Sequence, residues 1–486
     1  MLAPIAAALL SVQAAIPSDI RVLDAFGRDV TQRGITLLDW EGQIANPAIK
    51  LSLQLPKSLT FPAQVYLSGT SSRIHFDRSD SEDRTGIGKR ITLLAAKSPE
   101  FHIAIFPDRD AMDEAHELLI QVFAGGKEVA RQMMPVAIID QDQPSANGGY
   151  PLHLDFSEDR TGFTSRNEVS AVLKQAASDW AYFMLDNGQD TVPVGAESTP
   201  IWNPDGFVTQ RPHVNTRAYN GYMMYICGIQ HDEMRAGGSP SLVGLPQSVR
   251  WKPIPLRRSG TVEFETRGNW NQLGWFLTKG DEDWWYSGSL RNEQQDLYSI
   301  AIHEMGHALC FQETYPVFGA ARKTSLDDPR LVRYLGFAPK IDASEHLINV
   351  IDPISLYGGY GCEYFAKMKA RRWLITKSHL LCLQAIGYRV RKTAAFDELA
   401  VNESEVKREF KVGAPVDLAI PFRGGVPGYH FSVTEGELFP GLTLDSFTGT
   451  ITGRVIQPGK RLFLVTIQDS DPTTPAVQVK LHLTIN

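Results

Sequence analysis

Five consecutive residues, His303-Glu304-Met305-Gly306-His307, carry the most chemistry-laden spacing in the chain. On a helix, positions i and i+4 share a face, so two imidazoles so spaced can reach one Zn²⁺. The Glu between them can act as general base on a metal-bound water. A purely structural helix with these residues would bury two imidazoles and a carboxylate, which is costly unless each is paired. The flanks favour a helix packed into a core. Asp296 to Ile302 holds no Pro or Gly, and Ala308-Leu309-Cys310-Phe311 continues apolar.

Positioning that helix requires neighbours, and residues 150–395 supply them. Tyr150-Pro151-Leu152-His153-Leu154-Asp155-Phe156 reads as a strand, and Ser165-Arg166-Asn167-Glu168 fits a capping box. Val169, Val172, Leu173, Ala176, Trp180 and Phe183 then recur at helical spacing. Tyr222 to Cys227 reads as a strong strand, and Ala236-Gly237-Gly238-Ser239-Pro240 as a loop. A last helix is expected over 375–386, with Thr376 as N-cap and Gly387 just past its end.

This order, together with Ser344 to Gly359 downstream, resembles the zincin metallopeptidases, in particular the leishmanolysin-like and matrixin-like metzincins. The resemblance implies an α+β catalytic domain, one Zn²⁺ per chain, and hydrolysis of peptide bonds. It also implies a third ligand. His346 lies 39 residues after His307, and Leu356 lies ten further on, where the family has the Met of its Met-turn. The compact form of the motif would instead make Glu313 the third ligand. That form wants Gly three after the second His, and Cys310 stands there. The reading takes His303, His307 and His346 as ligands and Glu304 as base, with Glu313 the competing candidate.

The flanks read as all-β. In residues 20–145, Ala48 to Leu55 and Phe101 to Phe106 alternate with period two. This segment ends in Asp108, Asp110, Asp113, Glu114, Asp140 and Asp142. That layout resembles a Calx-beta-type sandwich, which implies that its acidic residues can hold Ca²⁺. Residues 405–486 carry short alternating strands and Gly-bearing turns, Gly436 to Asp445 and Thr448 to Gly453 among them. They resemble a cadherin-like Ig sandwich. The expected fold is therefore multidomain: an α+β zincin domain flanked by two all-β sandwiches.

Composition bounds the partners. A chain of 486 residues exceeds one core. Net charge is −7 with scattered Lys and Arg, which gives nucleic-acid binding no electrostatic support. No apolar run reaches the ~18 residues of a membrane span. Residues 1–15 are apolar and Ala-rich, with Ala14 and Ala15 suited to signal cleavage, so a secreted or cell-surface protein is expected. The four cysteines show no CxxC spacing. The function these features predict is a secreted zinc metalloendopeptidase acting on a protein or peptide substrate, which would pair antiparallel with an edge strand, Tyr222 to Cys227 being one candidate for that edge. Two rivals stand beside it: a catalytically inactive adhesion or matrix-binding protein, and a zinc hydrolase of a non-peptide bond.

Overall fold

The computed structural model describes residues 19–77, 88–142, 149–186, 188–204, 206–230, 236–240, 258–266, 275–277, 295–311, 318, 325–341, 346–348, 372–471 and 474–486. The expected signal segment, Glu313, Leu356 and Cys362 lie outside the described residues. The chain divides into two compact units. One holds residues 1–35, 50–103 and 115–137; the other holds 36–49, 104–114 and 138–486.

The first unit is β-sheet. Arg21–Leu23 runs antiparallel to Ile49–Gln54, and Ala63–Gly69 pairs antiparallel with both Gly88–Leu93 and Glu114–Ala124. Leu51, Leu53, Val65, Leu67, Ile120 and Val122 are buried at alternate positions, as a period-two pattern demands.

In the second unit, four strands form a mixed sheet. Its order is Leu152–Asp155, Tyr222–Ile229, Ser259–Glu265 and Ala236–Pro240. The first three run parallel and the last is antiparallel to its neighbour. Helix α1 (Asn167–Phe183) and helix α2 (Leu297–Leu309) pack together, and α2 also packs on the 236–240 strand. Helices α3 (Pro329–Leu335) and α4 (Lys377–Ile386) follow. One core joins Val172, Trp180 and Phe183 of α1 to Tyr222, Met224 and Ile226 of the sheet and to Ile300, Ala301 and Met305 of α2. Residues 405–486 have their own core, built on Val406, Phe431, Ile451, Phe463, Val465 and Leu481.

The expected α+β zincin domain between two sandwiches is corrected by this architecture. Among the described residues strand makes up 43% and helix 15%, with four α-helices. The periodic helices are real but few. The segments between them pair instead: Ser198–Asn203 with Gly206–Val214 as an antiparallel hairpin, and Tyr222–Ile229 with Ser259–Glu265. β-branched and aromatic residues in those segments favour the pleated, half-buried surface.

Two local readings also change. The expected 236–240 loop is a strand, held by pairing to Ser259–Glu265 despite its two glycines. The Ser165 capping box does not form. The N-cap is Arg166 without a side-chain cap, and the Ser165 hydroxyl donates to Gly162 O at 2.6 Å. A true capping box sits at α4, where Thr376 accepts from His379 N and the His379 ring accepts from Thr376 N.

The start of α2 is fixed by charge. Asp296 caps it by accepting from Ser299 N at 3.1 Å, and its other oxygen accepts from buried Arg372 at 3.2 Å. Breaking a buried pair strands the remaining charge and costs about 3–5 kcal/mol, whereas losing a simple N-cap costs about 1 kcal/mol. Asp296→Ala is therefore expected to lower stability several-fold more in free energy than Thr376→Ala. Urea unfolding of the two variants checks this, and equal losses would contradict it.

Candidate metal centre

His303 and His307 project from the same face of α2, and His346 reaches them from a segment 39 residues on. The three Nε2 atoms form a triangle whose sides are each 3.2 Å. Imidazole nitrogens that share one zinc at about 2.0–2.1 Å stand roughly 3.3 Å apart in tetrahedral coordination, close to the observed sides. The donor set therefore fits zinc: three buried imidazoles and no mixed charges.

The protonation state agrees. His307 Nδ1 lies 2.8 Å from Phe311 O, and a carbonyl can only accept, so Nδ1 carries the proton. In the neutral ring the Nε2 lone pair then faces the other two rings. Burial, with His307 and His346 beside it, holds the His303 imidazole far below its ordinary value, so it stays uncharged.

The helix that carries His303 and His307 is held from behind. The Trp180 indole donates to Ile302 O at 3.0 Å, and Tyr222 OH donates to Ala308 O at 2.6 Å. Tyr298 OH donates to the buried carboxylate of Asp179 at 2.5 Å. The Trp373 ring meets His303 edge-on at 5.5 Å, while Trp373 N donates to Ser299 Oγ. Reading the sequence for function missed Asp179, Arg372 and Trp373. Their partners are 70 or more residues away in sequence, so no local pattern marks them.

Glu304 is buried at the same turn of α2. Burial, and then the charge of Glu263, push its carboxyl up to about 8. Glu263 lies on the Ser259–Glu265 strand, is 1% exposed, and is itself pushed to about 8 by burial. A bound dication would draw Glu304 back toward its ionised form. Cys310 is the C-cap of α2, buried and free, and does not belong to the histidine group.

Of the acidic residues expected to hold Ca²⁺, the structure brings Asp108 and Asp140 together, and adds Asp39. Asp110, Asp113, Glu114 and Asp142 are not members of that group of three. Asp113 instead accepts from Asp140 N at 3.0 Å. The expected substrate edge at Tyr222 to Cys227 is corrected. That strand has a partner on both sides and is buried throughout, whereas Ala236–Pro240 is the end strand of that sheet among the described residues.

No family model matches the chain, and no curated protein does. Solved structures give weak likenesses. Two Bacteroides fragilis proteins described as alpha-galactosidases are 21% and 22% identical, covering 18% and 19% of this chain, with TM-scores of 0.16. The chain spans 18% and 19% of their lengths. Three extracellular cadherin domains of a mouse clustered protocadherin are 10% identical over 93% of this chain and 99% of that one, with a TM-score of 0.18. Likenesses at this level carry no inference about fold or function.

The buried carboxyls set a pH dependence for the metal-free chain. Glu263 and Glu304 have folded values near 8 against an ordinary 4.5. The folded state therefore binds more protons, and stability is lost as pH rises toward 8. Between pH 6.5 and 8 the urea midpoint of the metal-free chain is expected to fall, and to fall less steeply in Glu263→Gln. A flat or rising midpoint in the wild type would contradict the assignment.

Proposed function

We propose that this chain is a zinc-dependent metalloendopeptidase. The observation that carries the reading is the 3.2 Å triangle of buried imidazole nitrogens with a buried Glu one residue after the first ligand. His303, His307 and His346 would hold the ion. Zinc, when bound, supplies Lewis acidity toward both water and the scissile carbonyl. Glu304 takes the proton of the attacking water and passes it to the leaving amine. The substrate lies extended along Ala236–Pro240, the sheet edge against which α2 packs, and pairs with its backbone.

Charge and hydropathy bear only on other partners. The net charge of −7 does not favour nucleic acid. Among the described residues no helix is long and apolar enough to cross a membrane.

Two measurements test this. Elemental analysis of the purified protein should find about one Zn²⁺ per chain, and His346→Ala should lose it while Cys310→Ser keeps it. Zinc absent after growth in zinc-replete medium would end the catalytic reading. Separately, Glu304→Gln removes the base and leaves the ligands. It should retain zinc and lose hydrolysis of a casein or peptide-library substrate by roughly 10²–10⁴-fold. Wild-type protein that binds zinc and cleaves nothing in such a library would turn the reading to an inactive, adhesive role.

A further inference from the structure

A cavity of about 390 Å³ lies between α3, α4 and the module of residues 405–486. Its size falls within the roughly 300–1,000 Å³ of small-ligand sites. Leu381, Leu399 and Val477 give it an apolar wall. Its charged lining is unequal, with Arg330, Arg333 and Lys377 set against Glu398 and Asp471. The cavity shares no residue with the histidine centre, so what it binds is independent of zinc.

The cations of this cavity already hold a carboxylate. Glu398 pairs with Arg333, and the two side chains are 59% and 72% exposed. Ion pairs this exposed hold weakly, so an incoming carboxylate can take the place of Glu398. Arg330 pairs with Asp328 and donates to Gln384 Oε1 at 3.2 Å. Lys377 Nζ stands 4.7 Å over the ring of buried Tyr334 and 5.9 Å over that of Phe396. Aromatic faces hold a cation without neutralising it. Lys377 is also the first residue of α4, where the positive end of the helix disfavours a cation and favours an anion. Its charge is placed there against that field. Asp471, by contrast, is buried and accepts from the Thr474 hydroxyl at 3.0 Å.

We propose that this cavity binds a carboxylate that carries an apolar side group, as in the C-terminal residue of a peptide or a free N-acylated amino acid. The carboxylate meets Arg333 and Lys377 in place of Glu398, and the side group rests on Leu381, Leu399 and Val477. A guanidinium suits this ligand, because its parallel N–H groups match the two oxygens of a carboxylate. The excess of basic over acidic groups in the lining opposes a cationic ligand.

The test is calorimetry on the full chain with N-acetyl-leucine and with a short peptide ending in a free Leu, each beside its C-terminal amide. The acids should bind at millimolar concentration or below, and the amides at least about tenfold more weakly, because the charge-assisted bonds are lost. Tighter binding of the peptide identifies a chain terminus as the source, and tighter binding of N-acetyl-leucine identifies a free acid; either supports the site. Lys377→Met keeps the stem and removes the charge, and should weaken the acids at least about tenfold. Lys411→Met, outside the cavity, should leave binding unchanged. Glu398→Gln removes the resident competitor from an exposed position and should tighten binding severalfold, which keeps the test decisive even if Lys377→Met fails to fold. The proposal is overturned if neither acid binds at millimolar concentration or if the amides bind as tightly as the acids. It is equally overturned if folded Lys377→Met binds as the wild type does, or if Glu398→Gln binds no tighter.

Discussion

Three imidazole nitrogens meet at 3.2 Å inside the protein, and the packing around α2 depends on that meeting. His307 Nδ1 donates a hydrogen bond to Phe311 O, so its Nε2 presents a lone pair to the other two rings. A divalent cation at the triangle would draw on the nitrogens that converge there. The helix that carries two of the three rings is fixed by long-range bonds outside the cluster.

Those bonds are ordered in a particular way. Trp180 and Tyr222 tie the middle and end of α2 through its own carbonyls, at Ile302 and Ala308. Tyr298 and Asp296 tie its start through Asp179 and Arg372. The Arg372 guanidinium also lies 5.2 Å over the Tyr298 ring, so one buried cation serves both ties. The cluster thus has little freedom along the helix axis or around it. Ligand geometry needs that rigidity, because a shift of about 0.5 Å degrades a metal site.

Much of this was legible in the residues, and the failures have physical causes. The α1 periodicity predicts the buried set of Asn167–Phe183, because one helix face must meet the core. Thr376 and Gly387 mark α4 because caps are local chemistry. The third ligand stayed open between His346 and Glu313, since no local pattern bridges a gap of 39 residues. Asp39 was not found because it meets Asp108 across 69 residues. The substrate edge was misplaced, though a signal existed. Tyr222 to Ile229 is apolar almost without alternation, which is how a strand buried on both faces reads. The edge strand, by contrast, has two Gly and a Pro and low intrinsic propensity, so pairing rather than sequence makes it a strand.

The same energetic reasoning bears on catalysis against mere adhesion. An adhesive module gains nothing from Glu304. Its carboxyl is buried beside Glu263, and both are pushed to about 8, so at neutral pH each holds a proton that it would shed in water. That is a stability cost borne at two neighbouring positions. Glutamine at either would remove the ionisation penalty and keep the shape. A metal at the histidine triangle changes the balance for Glu304, whose charge it would favour, but leaves Glu263 on the sheet still burdened. Under the proposed reading, such a pair beside a triangle of imidazoles would serve proton transfer next to a Lewis acid, a use that adhesion alone would not give it.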